Sequence, residues 1–213
     1  MKISFKKNLL LIISLIILAR SYAQEPNRKL RVGFDLLIGT QQVFPFNDLN
    51  YFHTQTGYRL QFNYLLRSGK FSYELQIEPS IYVAEHRLLN PDFIQPSDGA
   101  DYLQQRDYYM QKRTIKDYAL NIGFVSRYNF NKSWSIYLII STGPTYIDAE
   151  TERQAKGFAF SNLISTGAAY TAGRLRFEIG PGVRHVSNAN THYPNGGHNS
   201  STLDAGVTWS FGK

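Results

Sequence analysis

Leu203-Asp204-Ala205-Gly206-Val207-Thr208-Trp209-Ser210-Phe211 alternates without a break between apolar residues at odd positions and small or polar ones at even positions. A period of two puts every second side chain on the same face of a strand, so this segment has one greasy face and one polar face. The stretch before it behaves the same way: Leu175, Phe177, Ile179 and Val183 oppose Arg174, Arg176, Glu178 and Arg184. A soluble sandwich keeps charge off its buried face, whereas a membrane barrel turns the apolar face to lipid and the charged one to its lumen. Glu178 and Asp204 therefore read as lumen partners for arginines such as Arg176 and Arg184.

Six more segments carry this rhythm. Leu30 to Ile38 forms the first, Tyr58 to Tyr64 the second, Phe71 to Val83 the third and Tyr118 to Phe124 the fourth. Trp134 to Ile140 and a weaker, Ala/Gly-rich Phe158 to Tyr170 are the fifth and sixth. Short turns follow the second, fourth and sixth at Arg67-Ser68-Gly69-Lys70, Asn131-Lys132-Ser133 and Thr171-Ala172-Gly173, and longer connections follow the odd strands. An even strand count with this asymmetry predicts an all-β fold, an eight-stranded antiparallel transmembrane β-barrel with short periplasmic turns and longer extracellular loops. The 15 Tyr and 14 Phe suit aromatic girdles. Closing on Phe211, two residues from the end, resembles the C-terminal assembly signal of outer-membrane barrels. Residues 86–113, with Pro91, Pro96 and Asp98-Gly99, read as one long mobile loop whose Tyr102, Tyr108 and Tyr109 pack on the barrel rim. Pro144 and the charged stretch 148–156 read as another loop.

Lys2, Lys6 and Lys7 precede an apolar run from Leu9 to Ala19 and then Ser21-Tyr22-Ala23, the pattern of an export signal. Residues 1–23 are expected to be cleaved, leaving 24–213 as one barrel domain. The run is broken by Arg20, short of the roughly 20 apolar residues of a spanning helix. Loss of four cations leaves 19 Lys and Arg against 16 Asp and Glu, a net charge of +3 where the whole chain has +7. No basic stripe remains, so nucleic acid is not an expected partner. With no cysteine, disulfides and thiolate metal sites are excluded. Neither P-loop, dinucleotide, zinc nor EF-hand spacing occurs, so no cofactor or metal is expected. The oligomeric state stays open between a monomer and a homodimer.

The chemistry concentrates near the last hairpin, in His185-Val186-Ser187-Asn188 followed through Pro194-Asn195-Gly196-Gly197 by Asn199. A histidine two residues before a serine on a strand shares its face, about 7 Å away along the chain, as a base and a nucleophile would. Asn199, at the start of the return strand, stands where it can orient the imidazole. Odd parity puts all three on the lipid face, provided that Pro181, between Gly180 and Gly182, does not introduce a bulge that flips the residues after it. An eight-stranded barrel is filled by its own side chains, so a lipid substrate is expected outside it. His192 and His198 are expected to be solvated loop residues.

His185, Ser187, Asn188 and the Pro194-Asn195 turn resemble the C-terminal motif of the lipid A 3-O-deacylases (PagL type), small outer-membrane barrels that remove an acyl chain from lipopolysaccharide. The resemblance implies Ser187 as nucleophile, His185 as base and the Asn188 side chain in the oxyanion hole, with lipid A of the outer leaflet as substrate. Where that family carries a glutamate, this chain has Asn199. The set His185, Ser187 and Asn199 is also similar to outer-membrane phospholipase A, a longer barrel whose triad ends in asparagine. A third reading, a non-enzymatic small barrel for adhesion or envelope integrity, stays open beside these two.

Overall fold

The structure is a computed structural model and describes residues 29–212; the expected export signal lies outside them. Eight antiparallel strands, β1 (Leu30–Thr40), β2 (Tyr51–Arg67), β3 (Phe71–Leu88), β4 (Arg113–Asn129), β5 (Trp134–Ile147), β6 (Gly157–Ala172), β7 (Leu175–Ser187) and β8 (His198–Phe211), follow one another around a closed barrel. β8 pairs with β1, from Leu30 opposite Phe211 to Thr40 opposite Ser201, so no sheet edge is left open. In lipid, closure is what satisfies every strand's backbone.

Period two sorts the side chains as the sequence predicts. Leu36 and Ile38 of β1, Leu60 of β2, Ile77 of β3, Ile122 of β4 and Ile140 of β5 are exposed on the outer face, an apolar belt suited to lipid. The buried side chains inside are mainly polar. Arg176 donates to both carboxylate oxygens of Glu74 at 2.6 and 2.7 Å, and Arg127 donates to Glu178 Oε1 at 2.6 Å. Arg59 bridges Asp35, Glu78 and Asp204, and Arg184 reaches Asp117 at 3.0 Å. Glu178 meets Arg176 at 3.1 Å, as expected, but Asp204 pairs with Arg59 rather than with Arg176 or Arg184. Charges taken out of water persist only when paired in this way.

Several strands run further than their apolar alternation indicates. β2 and β4 have 17 residues each and β3 has 18, where about 9 to 11 tilted residues cross a bilayer. The excess rises beyond the belt on the side of the long loops, where the outward residues Glu85 and Arg87 of β3 are exposed. β5 also passes through Pro144, which faces outward within the strand; the loop begins only after Ile147. A proline is tolerated there because it removes one ladder donor without changing parity.

Residues 86–113 are not one irregular loop. β3 continues to Leu88, two 3₁₀ turns form at Pro91–Phe93 and Pro96–Asp98, and a helix, α1 (Tyr102–Met110), precedes β4. Tyr109 of α1 packs on Leu88 and Ile94 beside Tyr102, and its hydroxyl donates to Glu150 Oε1 at 2.6 Å. The tyrosines thus build a small core over the barrel mouth, and the segment is folded.

Candidate active site

Whether His185 faces lipid depends on Pro181, and the strand register answers it. Along β7 and β8 the pairing is continuous through the proline: Ile179 faces Ala205, Pro181 faces Leu203 and His185 faces Asn199. On the β6 side the ladder lapses beside Pro181, yet Ile179 opposite Ala168 and Val183 opposite Ile164 belong to one unshifted register. Pro181 removes a rung and adds no residue, so parity survives. Arg184, Val186 and Asn188 are buried while His185 and Ser187 are partly exposed. Val186, 2% exposed, packs inward with Ala84, Ile115, Ile147 and Ala159 and pins the strand between the two outward residues.

His185 and Asn199 are directly opposed, and the imidazole Nδ1 lies 2.8 Å from Asn199 Oδ1. An amide oxygen only accepts, so Nδ1 carries the proton and Nε2 keeps its lone pair. That is the tautomer a general base needs. Ser187 shares the outward face two residues on; among the described residues it makes no hydrogen bond to the imidazole, and catalytic contacts of this kind often tighten only with substrate bound.

Gly197 forms the wall behind this pair. Its φ is +67°, and a Cβ there would lie 2.5 Å from the Val186 carbonyl oxygen, 3.1 Å from Ser187 Cβ and 3.4 Å from His185 Cε1. Only glycine suits both the backbone and the space. Its amide donates to Arg153 O at 2.9 Å, and the Arg153 guanidinium returns a bond to Gly197 O at 3.1 Å. Ala155 N donates to Pro194 O at 2.9 Å, so the segment 148–156 staples the 188–197 loop in place.

Asn188 lies under that loop. It is 1% exposed, and its Nδ2 donates to His192 O at 2.7 Å and to Pro194 O at 3.2 Å. Both amide hydrogens are engaged in shaping the loop. His198, expected in solvent, is instead the first residue of β8 and is buried on the lumen side.

The neighbouring strand supplies residues that sequence reading did not single out. Phe160 of β6 is opposite Ser187, and Asn162, whose Oδ1 accepts from Thr142 Oγ1 at 2.7 Å, is opposite His185. Phe158 stands edge-on to Phe160, their ring centroids 5.1 Å apart. Toward the membrane centre the same outer face continues into exposed Ile164 and Leu203. On the far side of β8, a groove of about 750 Å³ is lined by Ile38, Val43, Tyr58, Val83, Ser201 and Leu203 among others.

A closed eight-stranded barrel with an apolar outer belt, carrying His185, Ser187 and Asn199 on its outer face near the mouth, defines an outer-membrane β-barrel. The sequence matches the lipid A 3-O-deacylase (PagL) family over residues 56–208. The chain belongs to that family, and its fold is that of an outer-membrane β-barrel. Among solved structures, Neisserial surface protein A is 13% identical, with 85% of this chain and 97% of that one covered at a TM-score of 0.50, a likeness of fold. The outer membrane enzyme PagL is 14% identical, with 82% and 97% covered at a TM-score of 0.48. No curated protein matches the chain.

Proposed function

We propose that this chain is an esterase that removes the 3-O-linked hydroxyacyl chain of lipid A, with Ser187 as nucleophile, His185 as general base and Asn199 as the residue that orients the imidazole. The observation carrying this reading is the 2.8 Å bond from His185 Nδ1 to Asn199 Oδ1 on the lipid-facing side. His185 Nε2 takes the Ser187 proton as the oxygen attacks the ester carbonyl, and the protonated imidazole then gives that proton to the departing glucosamine oxygen. Water, deprotonated by the same nitrogen, attacks the acyl-serine and releases the fatty acid.

Substrate arrives by lateral diffusion in the outer leaflet. Phe160 beside Ser187, then Ile164 and Leu203 below, offer the scissile chain an apolar path toward the membrane centre. The groove beyond β8 suits another chain of the same multi-chain lipid. Asn188 holds the 188–197 loop against the reacting pair, and it serves the oxyanion only by releasing its longer bond, the one to Pro194 O. An asparagine stabilises imidazolium less than a carboxylate, so turnover is slow.

The asparagine also favours a phospholipase reading, which one comparison separates. Purified protein in detergent micelles is given lipopolysaccharide or glycerophospholipid, with and without calcium, and released fatty acids are measured. Faster release of a 3-hydroxy fatty acid from lipopolysaccharide is expected. Calcium-dependent cleavage of phospholipid alone makes it a phospholipase, and inertness toward both makes it a non-enzymatic barrel.

A further inference from the structure

Three histidines that the deacylation does not use meet inside the barrel mouth. His53 of β2, His86 of β3 and His198 of β8 are 4%, 0% and 6% exposed. Their parity turns them inward, and register does the rest, with His53 opposite His86. The His53 and His198 rings stack at 4.7 Å with 7° between planes, and His86 stands edge-on to both. One ring nitrogen from each lies within 4.8 Å of the other two.

The outer nitrogens are held by the β5–β6 loop. His86 Nε2 lies 2.9 and 3.0 Å from the two Glu152 oxygens, and His198 Nε2 lies 3.1 Å from Thr151 Oγ1. A histidine that donates from one nitrogen to a carboxylate presents a lone pair on the other, the support usual behind metal-ligating imidazoles. His86 Nδ1 accordingly faces His53 Nδ1 at 3.2 Å. His198 Nδ1 is buried with no hydrogen-bond partner, a costly state for a polar atom. Two imidazole nitrogens bound tetrahedrally to zinc are about 3.3 Å apart, given metal–nitrogen distances near 2.05 Å, so the His53–His86 pair already has the required spacing, and the His198 nitrogen lies within 4.8 Å of both.

We propose that His53, His86 and His198 form a binding site for a divalent transition cation of the zinc type. Neutral imidazoles suit such an ion and not calcium or magnesium, which take oxygen donors. Binding shifts the proton between His53 and His86 to His53 Nε2, so that both Nδ1 lone pairs are free for the ion. Glu152 balances charge, and the nearby Arg184 is already neutralised by Asp117. The ion ties β2, β3 and β8 together directly beneath Gly197 and Asn199, so its role is to brace the mouth on which the reactive face is built.

The test uses chelator-treated, folded barrel in detergent, to which Co²⁺ or Zn²⁺ alone is added. Wild type is expected to retain one equivalent per chain after dialysis, with visible Co²⁺ absorption of a four-coordinate site made of three nitrogens and one water, and a higher unfolding midpoint with Zn²⁺. His53→Asn should abolish the absorption, and Glu152→Gln, which keeps the fold and all three ligands, should weaken binding by about 10- to 100-fold. His192→Ala, at an exposed loop histidine, should change nothing. Failure of wild type to retain either metal overturns the proposal, as does retention in His53→Asn equal to that of wild type.

Discussion

His185 and Asn199 are cross-strand partners whose side chains meet at 2.8 Å on the outer face of the barrel, so β7–β8 pairing itself sets the imidazole tautomer. Asn199→Ala leaves the imidazole free to rotate and should lower kcat by about 10²- to 10³-fold with little change in KM, less than the loss from Ser187→Ala or His185→Ala. Asn199→Asp keeps the length of the side chain and adds the charge that stabilises imidazolium, so its rate should exceed wild type. Steady-state kinetics on lipopolysaccharide micelles, with heat-modifiable mobility as the check on folding, measures both. An aspartate variant slower than wild type would show that the neutral amide is itself required.

Gly197 should resist substitution. Gly197→Ala meets a carbonyl oxygen at 2.5 Å and a backbone at φ +67°, a strain of roughly 1–3 kcal/mol. That is too little to unfold the barrel and enough to displace Ser187 or His185. Deacylation should fall at least tenfold while the barrel's circular dichroism is unchanged; full activity would remove Gly197 from the site.

Stability should depend on the lumen more than on the reactive face. Glu74→Gln leaves Glu178 as the one carboxylate shared by Arg176 and Arg127 and should cost about 3–5 kcal/mol, read as a lower urea midpoint in micelles. Ser187→Ala should shift that midpoint by less than about 0.5 kcal/mol.

The barrel was legible because a strict period of two survives through β8 and the charged face of β7 has no other home. The outward placement of His185 and Ser187 was legible by the same count, and it held because Pro181 costs a rung and not a residue. The fold of residues 86–113 was not, since α1 has no amphipathic stripe and its order comes from Tyr109 reaching Leu88, Ile94 and Glu150. The three inward histidines were hidden for a different reason. They are far apart in sequence, and His198 follows a glycine-rich turn, so only the closed register brings them together. The environment of Asn188 was equally invisible, because its partners are loop carbonyls that no residue pattern encodes.

Topology can be tested on intact cells. Lys156, exposed in the β5–β6 loop, should be cut by added trypsin, whereas Arg106, held by Ile94 O, and Lys112, paired with Glu85 at 2.7 Å, should be cut more slowly. Arg67 and Lys70 lie at the opposite end of the barrel and should be untouched; cleavage there with protection at Lys156 would invert the orientation.

The most direct measurement is the mass of lipid A after incubation of lipopolysaccharide with purified wild type and with Ser187→Ala, side by side. Wild type should shorten lipid A by one 3-hydroxyacyl chain and release the matching fatty acid, and the folded Ser187→Ala barrel should leave it intact. Equal deacylation by both proteins, or an unchanged lipid A mass with folded wild type, would contradict the account.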